Sequence, residues 1–122
     1  MRLFVGVYHR VLDDHGRLCI PARLAAALER RALHLAPTAH PALALYPDAD
    51  VLPNCPSVTV PVDRRGRIAI PVPLRQAAGL SRQVVLVGAG RHMEVWDAQR
   101  FERVRERITK AANDGGPRTQ SA

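Results

Sequence analysis

Cysteine is scarce in this chain of 122 residues, which contains two, Cys19 and Cys55. They stand far apart and without companions, so they form neither a disulfide framework nor a zinc-binding pattern. No apolar run approaches the roughly 18 residues that a membrane helix needs. The first apolar run stops early and no small-residue cleavage site follows it, so we expect no signal peptide. These absences predict a soluble, cytoplasmic domain without a metal and without a membrane partner.

Catalytic constellations are also missing. The five histidines are scattered, with no His-x-x-x-His pair and no neighbouring cysteine, so we expect no metal site. Ser57 and Ser81 have no nucleophile-elbow motif around them, and Gly88-Ala-Gly90 is a lone Gly-x-Gly that is more typical of a hairpin turn. We therefore expect no enzymatic activity, no cofactor and no small-molecule substrate.

Lysine is nearly absent, since Lys110 is the single lysine among the 18 basic residues and the others are arginines. Arginine presents a planar fork of donors that fits phosphate oxygens and guanine edges, although a GC-rich genome would produce the same bias. Of the net charge of +7, residues 62–122 carry +6 and residues 1–61 carry +1. Such a lopsided positive field favours a polyanionic partner.

A tandem repeat with a constant offset of 50 runs through the chain. The segment Leu12-Asp-Asp-His-Gly-Arg-Leu-Cys-Ile-Pro21 aligns with Val62-Asp-Arg-Arg-Gly-Arg-Ile-Ala-Ile-Pro71, and the same offset aligns Leu43–Tyr46 with Met93–Trp96. Agreement at so many spaced positions indicates a duplication. Each copy has about 50 residues, too few for an independent core, so we expect the two copies to share one.

Each copy has the pattern of a strand, a tight turn, a short strand, a helix and two further strands. The turn opens with an aspartate that can bind the backbone ahead and closes with a glycine that tolerates positive φ. Pro21 and Pro71 fit the first turn of a helix, where a missing N–H costs nothing. The predicted ββαββ units have strands at 3–12, 17–20, 32–35 and 42–46 with a helix at 21–31, and strands at 57–62, 67–70, 83–87 and 93–96 with a helix at 71–78.

The remaining segments are a linker, a helix and a tail. Residues 47–56 are rich in Pro and Asp and predict a loop between the copies. Residues 97–112 predict a helix, because Asp97 is a favourable N-cap and apolar residues recur at helical spacing. Residues 113–122, with two glycines and a proline, predict a disordered tail. The predicted divisions are thus a first copy (1–46), a linker (47–56), a second copy with the C-terminal helix (57–112) and the tail (113–122).

The repeated turn is the strongest candidate for a functional site. It runs from Asp13 to Arg17 and from Asp63 to Arg67, and Gly16 and Gly66 close the two turns. A two-stranded ribbon is narrow enough to enter a DNA groove, where its turn can carry arginine to phosphates or base edges. Alternatively, each Asp and the Arg four residues later only brace their own turn by ion pairing. As facing acid and base, the two aspartates are poorly suited, because the arginines would keep both ionised.

The two turns differ in charge. Asp14 and His15 in the first turn stand where the second has Arg64 and Arg65, so the second turn is predicted to be the stronger phosphate site. The helix after the second turn carries Arg75, whereas the first copy has Ala25 in that position. The candidate DNA-binding residues are Arg10, Arg17, Arg64, Arg65, Arg67 and Arg75.

These residues carry a resemblance to a known fold. The unit strand, Asp-x-x-Gly-Arg, apolar-x-Ile-Pro and helix resembles the SpoVT/AbrB swapped-hairpin DNA-binding domain. Two copies in one chain, an opening Phe4-Val-Gly-Val-Tyr8 and a closing Glu94-Val-Trp-Asp97 resemble the MraZ family of transcriptional regulators, here with a shortened middle segment. The resemblance covers residues 3–46 and 58–104. With the ββαββ pattern, it implies a mainly β (α+β) fold whose copies interlock into one double-psi, swapped-hairpin β-barrel, followed by a C-terminal helix.

The resemblance also implies a function. Within the wider family, arginines that match Arg10, Arg17, Arg67 and Arg75 serve DNA binding, and the proteins bind short direct repeats in promoters, commonly as repressors and as ring-shaped oligomers. We therefore expect a sequence-specific regulator of double-stranded DNA that is cytoplasmic, nucleoid-associated and homo-oligomeric. Two alternatives stay open. One is an antitoxin-like module that binds a partner protein through the tail or residues 97–112, and the other is a double-psi-barrel ligand binder without DNA activity.

Overall fold

A computed structural model of the chain describes residues 4–22, 24–25, 32–48 and 55–114. Several strands form where apolar and polar residues alternate, because one face of the strand packs on the core. In the last strand, for example, Met93 and Val95 are buried while Glu94 and Trp96 are partly exposed. The elements whose bounds are described are β1 (Val7–Val11), β2 (Arg17–Cys19), β3 (Ala32–Pro37), β4 (Ala42–Tyr46), β5 (Val58–Pro61), β6 (Arg67–Ala69), α1 (Val72–Ala77), β7 (Gln83–Gly88), β8 (Met93–Asp97) and α2 (Ala98–Asp114).

Six of these strands form one antiparallel sheet in the order β1-β7-β8-β4-β3-β5. The strands β1, β3 and β4 of the first copy are equivalent to β5, β7 and β8 of the second. Exchanging equivalent strands reverses the order of the sheet, so a pseudo-twofold axis passes between β8 and β4. The first strand of each copy pairs with the third strand of the other copy, since β1 lies on β7 and β5 lies on β3. The copies are therefore interlocked rather than stacked side by side.

The remaining two strands, β2 and β6, form a separate antiparallel ribbon with one strand from each copy. Leu18 lies opposite Ile68 at its centre. The pairing continues symmetrically at both ends, where the Ile20 N–H donates to the Gly66 carbonyl at 2.8 Å and the Ile70 N–H donates to the Gly16 carbonyl at 3.0 Å. Each copy thus closes its own turn against the backbone of the other.

The core lies between the ribbon and the inner face of the six-stranded sheet. From the ribbon, Leu18 and Ile68 point inward and are 0% and 1% exposed. They belong to one cluster with large apolar residues of the central strands, including Leu33, Leu35, Leu43, Leu45, Leu86, Met93 and Val95. Both copies contribute to this single core, as their small size requires.

The helix α2 packs on the outer face of the same sheet. Phe101 of α2 meets the Trp96 ring edge-on, with the ring centroids 6.4 Å apart. Trp96 alternates along β8 with Val95, which belongs to the core, so the helix and the ribbon lie on opposite sides of the sheet. None of the helices in the described ranges is long and apolar enough to cross a membrane.

The predicted mainly β fold with a C-terminal helix is confirmed, but the barrel is not closed. The strands β1 and β5 are the two edges of the sheet and do not pair with each other. The chain leaves each of these edge strands through a turn and enters the ribbon, whose two strands pair with each other rather than with the edges of the sheet. A separate ribbon therefore stands where continuous pairing around a barrel was expected.

The element bounds agree with the prediction to within a few residues in the described ranges. The helix α2 extends to Asp114, two residues beyond its predicted end. In the first copy, Ala22, Leu24 and Ala25 are helical, while the rest of the helix predicted at 21–31 lies outside the described residues. Most of the predicted linker, at 49–54, and the predicted tail from residue 115 also lie outside them.

The ribbon's contribution to stability is testable at Leu18. Truncation of this fully buried side chain (Leu18→Ala) should lower the free energy of unfolding by about 2–5 kcal/mol, because it removes buried apolar surface and leaves a cavity. Urea denaturation measures the loss. The exposed neighbour Cys19 supplies the control, and Cys19→Ala should change stability by less than about 0.5 kcal/mol. Equal effects of the two substitutions would contradict the packing described here.

Candidate nucleic-acid interface

The first turn is organised by the carboxylate of Asp13. Its Oδ1 accepts the backbone N–H groups of His15 and Arg17, both at 2.9 Å, and its Oδ2 accepts the Arg17 Nε–H at 2.7 Å. The Gly16 N–H donates to the Asp13 carbonyl at 2.9 Å, with Gly16 at a φ of 71°. Asp13 therefore fixes the backbone of the turn and also holds the Arg17 side chain at its Nε.

The second turn repeats this geometry. Asp63 Oδ1 accepts the backbone N–H groups of Arg65 at 2.8 Å and Arg67 at 2.9 Å, and Oδ2 accepts the Arg67 Nε–H at 2.9 Å. Gly66 closes the turn at a φ of 76°. The repeat recognised in the sequence is thus a repeat of hydrogen bonds as well as of residues.

These hydrogen bonds keep both aspartates ionised. The backbone N–H of Arg17, its guanidinium and the N–H of His15 outweigh partial desolvation and lower the pKa of Asp13 from 3.8 to about 2. The equivalent groups of Arg67 and Arg65 lower the pKa of Asp63. Each carboxylate is therefore bound by its own arginine, and the two aspartates do not form an acid–base pair with each other.

The turn brace leaves part of each arginine available, although Arg17 Nη2 also lies 3.4 Å from His15 Nδ1. Arginine has five N–H donors, and the bond from Nε to the aspartate uses one. Arg17 and Arg67 lie on the face of the ribbon opposite the buried Leu18 and Ile68, and their side chains are 35% and 24% exposed. A weaker contact of 3.9 Å links Arg67 Nη1 to Asp13 Oδ2 across the ribbon. The ribbon therefore presents two positioned guanidinium groups on its outer face.

The interlocked fold carries Arg75 to the turn of the other copy. Its Nε–H donates to the Ile70 carbonyl at 2.9 Å, and its guanidinium covers Gly16, where an added Cβ would lie 2.5 Å from Cζ. At the equivalent place, Gly66 faces Ala25, and a Cβ added to Gly66 would lie 3.5 Å from the Ala25 Cβ. The helix arginine of the second copy thus serves the first turn, and among the described residues the equivalent neighbour of the second turn is Ala25.

The surroundings of the two turns complete this asymmetry. Arg64 and Arg65 are exposed on the second turn and make no ion pair within the described residues. On the first turn, Asp14 Oδ1 accepts a 3.3 Å contact from Arg82 Nη1, and a cavity of about 320 Å³ separates the turn from the helix that bears Arg75. Arg82 was not predicted as a site residue. The repeat aligns it with Ala32, which carries no charge, and Arg82 reaches Asp14 because the two copies interlock.

Arg10 lies on β1 rather than on a turn. Its Nη1 donates to the His9 carbonyl at 2.9 Å, and its guanidinium carbon stands 5.8 Å from the centroid of the Tyr8 ring. The described residues show no contact between Arg10 and either turn, so its role at the interface stays a prediction. No group of three or more His, Cys, Asp or Glu is placed to hold a metal ion in these ranges.

Comparison with known proteins identifies the family. A family model described as "MraZ protein, putative antitoxin-like" matches residues 56–119. A protein of Parafrankia sp. (strain EAN1pec) named "Transcriptional regulator MraZ" is 37% identical over 82% of this chain and 85% of its own length. The chain belongs to the MraZ family. Proteins of the same name from Frankia casuarinae and Paraburkholderia xenovorans are 36% and 34% identical, again over 85% of their lengths. The predicted resemblance to MraZ regulators is confirmed.

The glycines of the two turns give a matched test of the site in this MraZ-family chain. Both Gly16→Ala and Gly66→Ala place a side chain at positive φ, which costs about 1–2 kcal/mol. Gly16→Ala must also displace the Arg75 guanidinium, so its loss of stability should be the larger. Urea denaturation of the two variants measures the difference. Equal losses would contradict the placement of Arg75 over the first turn.

The depressed pKa of Asp13 predicts a dependence of stability on acid. Its folded pKa of about 2 lies below the ordinary 3.8, so its ionised form stabilises the fold above about pH 4, and that contribution is lost as the pH falls toward 2. Asp13→Asn should lower stability at neutral pH and flatten the decline between about pH 4 and 2. Denaturant titrations over this range measure the slope, with Asp14→Asn as the neighbouring control. A slope unchanged from wild type in Asp13→Asn would refute the assignment.

Proposed function

We propose that this chain regulates transcription by binding promoter DNA with the outer face of the β2–β6 ribbon and its two turns. The observation that carries the proposal is the positioning of Arg17 and Arg67, each held by Nε to its own aspartate on the face of the ribbon opposite the core. Pre-positioned arginines lose less side-chain freedom on contact with phosphates or guanine edges. The ribbon is two strands wide, which suits the major groove of about 12 Å.

The two ends of the ribbon have different parts in this proposal. The second turn offers the exposed Arg64 and Arg65 to phosphates, and in the described part of the chain Asp63 is the acidic group that partners this turn. The first turn combines Arg75 with Arg82, but Asp14 offsets part of that charge. Phosphate contacts therefore concentrate at the second turn, and Arg17 and Arg67 supply the register and base selectivity.

One chain presents a small interface, and specific DNA affinity usually requires a larger one. We therefore place several copies of the chain on spaced promoter repeats, as a homo-oligomer that represses by occupying the promoter. This assigns the protein to the cytoplasm, in association with the nucleoid, and gives it no enzymatic activity.

The contribution of the second turn is measured best at Arg64 and Arg65, because neither braces a turn with its side chain. The double variant Arg64→Gln/Arg65→Gln should reduce the slope of log affinity against log salt by about 2, since each phosphate contact contributes about 1. Fluorescence anisotropy with a duplex selected by the wild-type protein from a random-sequence pool gives the slope. Thermal denaturation should show unchanged stability.

A matched variant controls for net charge alone. Arg105→Gln/Lys110→Gln removes the same charge from exposed positions on α2, on the other side of the sheet from the ribbon. Its salt slope should equal that of wild type. If both double variants lose the same slope, or if Arg64→Gln/Arg65→Gln loses none, the second turn is not the phosphate site.

A further inference from the structure

A second surface lies on the outer face of the sheet, away from the ribbon. Here a groove of about 600 Å³ runs between α2, the end of β8 and the turn that precedes β4. Its apolar part is formed by Trp96, Pro41 and Val104. The DNA-binding proposal uses none of these residues.

The rim of this groove, hereafter the α2 groove, is strongly basic. Arg100, Arg103 and Arg107 recur at helical spacing along the same side of α2 and line the groove together. All three are exposed and form no salt bridge within the described residues. In contrast, Arg105 does not line the groove, and its Nη2 pairs with Glu102 Oε1 at 2.6 Å. The Arg100 guanidinium lies beside Gly79, where an added Cβ would be 3.3 Å from Nε. Arg103 and Arg107 are therefore the cations on this side of the helix that an occupant of the groove can reach.

The floor of the α2 groove combines an aromatic ring with a carboxylate. Trp96 is partly exposed and is held by its Nε1–H, which donates to Glu94 Oε1 at 3.0 Å. His40 stacks on Trp96 with the ring centroids 6.2 Å apart. Glu94 is the acidic residue among those lining the groove. Its Oε2 also lies 3.4 Å from His92 Nε2, and the lone pairs that remain on the two oxygens can accept donors from an occupant. The floor thus offers an apolar platform beside a hydrogen-bond acceptor.

We propose that the α2 groove binds an acidic peptide segment of a partner protein, with one large apolar side chain seated on Trp96. The partner's carboxylates would pair with Arg103 and Arg107, and its backbone N–H groups would donate to Glu94. A nucleic-acid duplex fits less well, because its phosphodiester backbone has no donor for Glu94 and its paired bases are not free to stack on Trp96. The apolar stripe of α2 continues to Ile108, which is 65% exposed and extends the surface for such a peptide.

This site and the ribbon can be occupied together, because they lie on opposite sides of the six-stranded sheet. The inference is therefore independent of the DNA-binding proposal. A peptide bound at α2 would attach a partner to the regulator without competing for the arginines of the turns.

Trp96 is the chain's one tryptophan, so its fluorescence reports occupancy of the groove directly. The probes are a short peptide of aspartates and glutamates with one leucine, the same peptide with serine for leucine, and a single-stranded oligonucleotide. The leucine peptide should bind saturably and shift the Trp96 emission to shorter wavelength, because leucine displaces water from the ring. The serine peptide should lose that shift.

Variants of the helix test the charges. Arg103→Gln/Arg107→Gln should weaken the leucine peptide by about fivefold to tenfold, whereas Arg105→Gln/Lys110→Gln should change its affinity by less than about twofold. Circular dichroism checks that both variants are folded. Addition of a selected duplex should leave the peptide titration unchanged.

Four results would overturn the proposal. The first is that the leucine peptide does not bind saturably, and the second is that the two double variants lose equal affinity for it. The third is that the selected duplex displaces the peptide. The fourth is that the oligonucleotide binds more tightly than the peptide, with the same dependence on Arg103 and Arg107. The last result would assign the groove to nucleic acid. The peptide titrations without duplex do not depend on DNA binding, so they test the groove even if the ribbon does not bind DNA.

Discussion

The pairing of β2 with β6 is the contact on which the rest of the structure depends. The ribbon joins one three-residue strand of each copy, and the backbone bonds at its ends cross between the copies through Gly16 and Gly66. Its inner side chains, Leu18 and Ile68, are buried against strands from both halves. Neither copy can complete this ribbon alone, so folding of the core and formation of the outer arginine face are one event.

The interlocking of the two copies also determines which charged side chains lie close together. Along the sequence, the first turn looks poor in positive charge because Ala25 follows it, and the second turn looks rich because Arg75 follows it. In the fold, Arg75 covers Gly16 of the first turn and Arg82 reaches Asp14 beside it. The candidate interface is therefore a composite of both copies. At its second turn the charge comes from the turn itself, and at its first turn it comes largely from Arg75 and Arg82 of the opposite copy.

The sequence predicted the local features well, because they depend on neighbouring residues. The Asp13 and Asp63 turns, their glycines and most strand bounds follow from spacing and turn chemistry. Features that depend on contacts between the copies were not predictable in this way. The open sheet edges at β1 and β5 and the position of Arg82 depend on which strands pair, and strands far apart in sequence carry no local signal of their partner. Arg10 turns back onto Tyr8, a local contact that charge counting overlooks.

The two cysteines allow the central claim to be measured directly. Cys19 is exposed on the ribbon in register with Arg67, while Cys55 is exposed just before β5. A photocrosslinker attached at Cys19 in a Cys55→Ser protein, or at Cys55 in a Cys19→Ser protein, marks which surface meets DNA. If the outer face of the ribbon binds the duplex, Cys19 should crosslink to the selected DNA in high yield and Cys55 only weakly. Equal yields, or a higher yield from Cys55, would contradict the account.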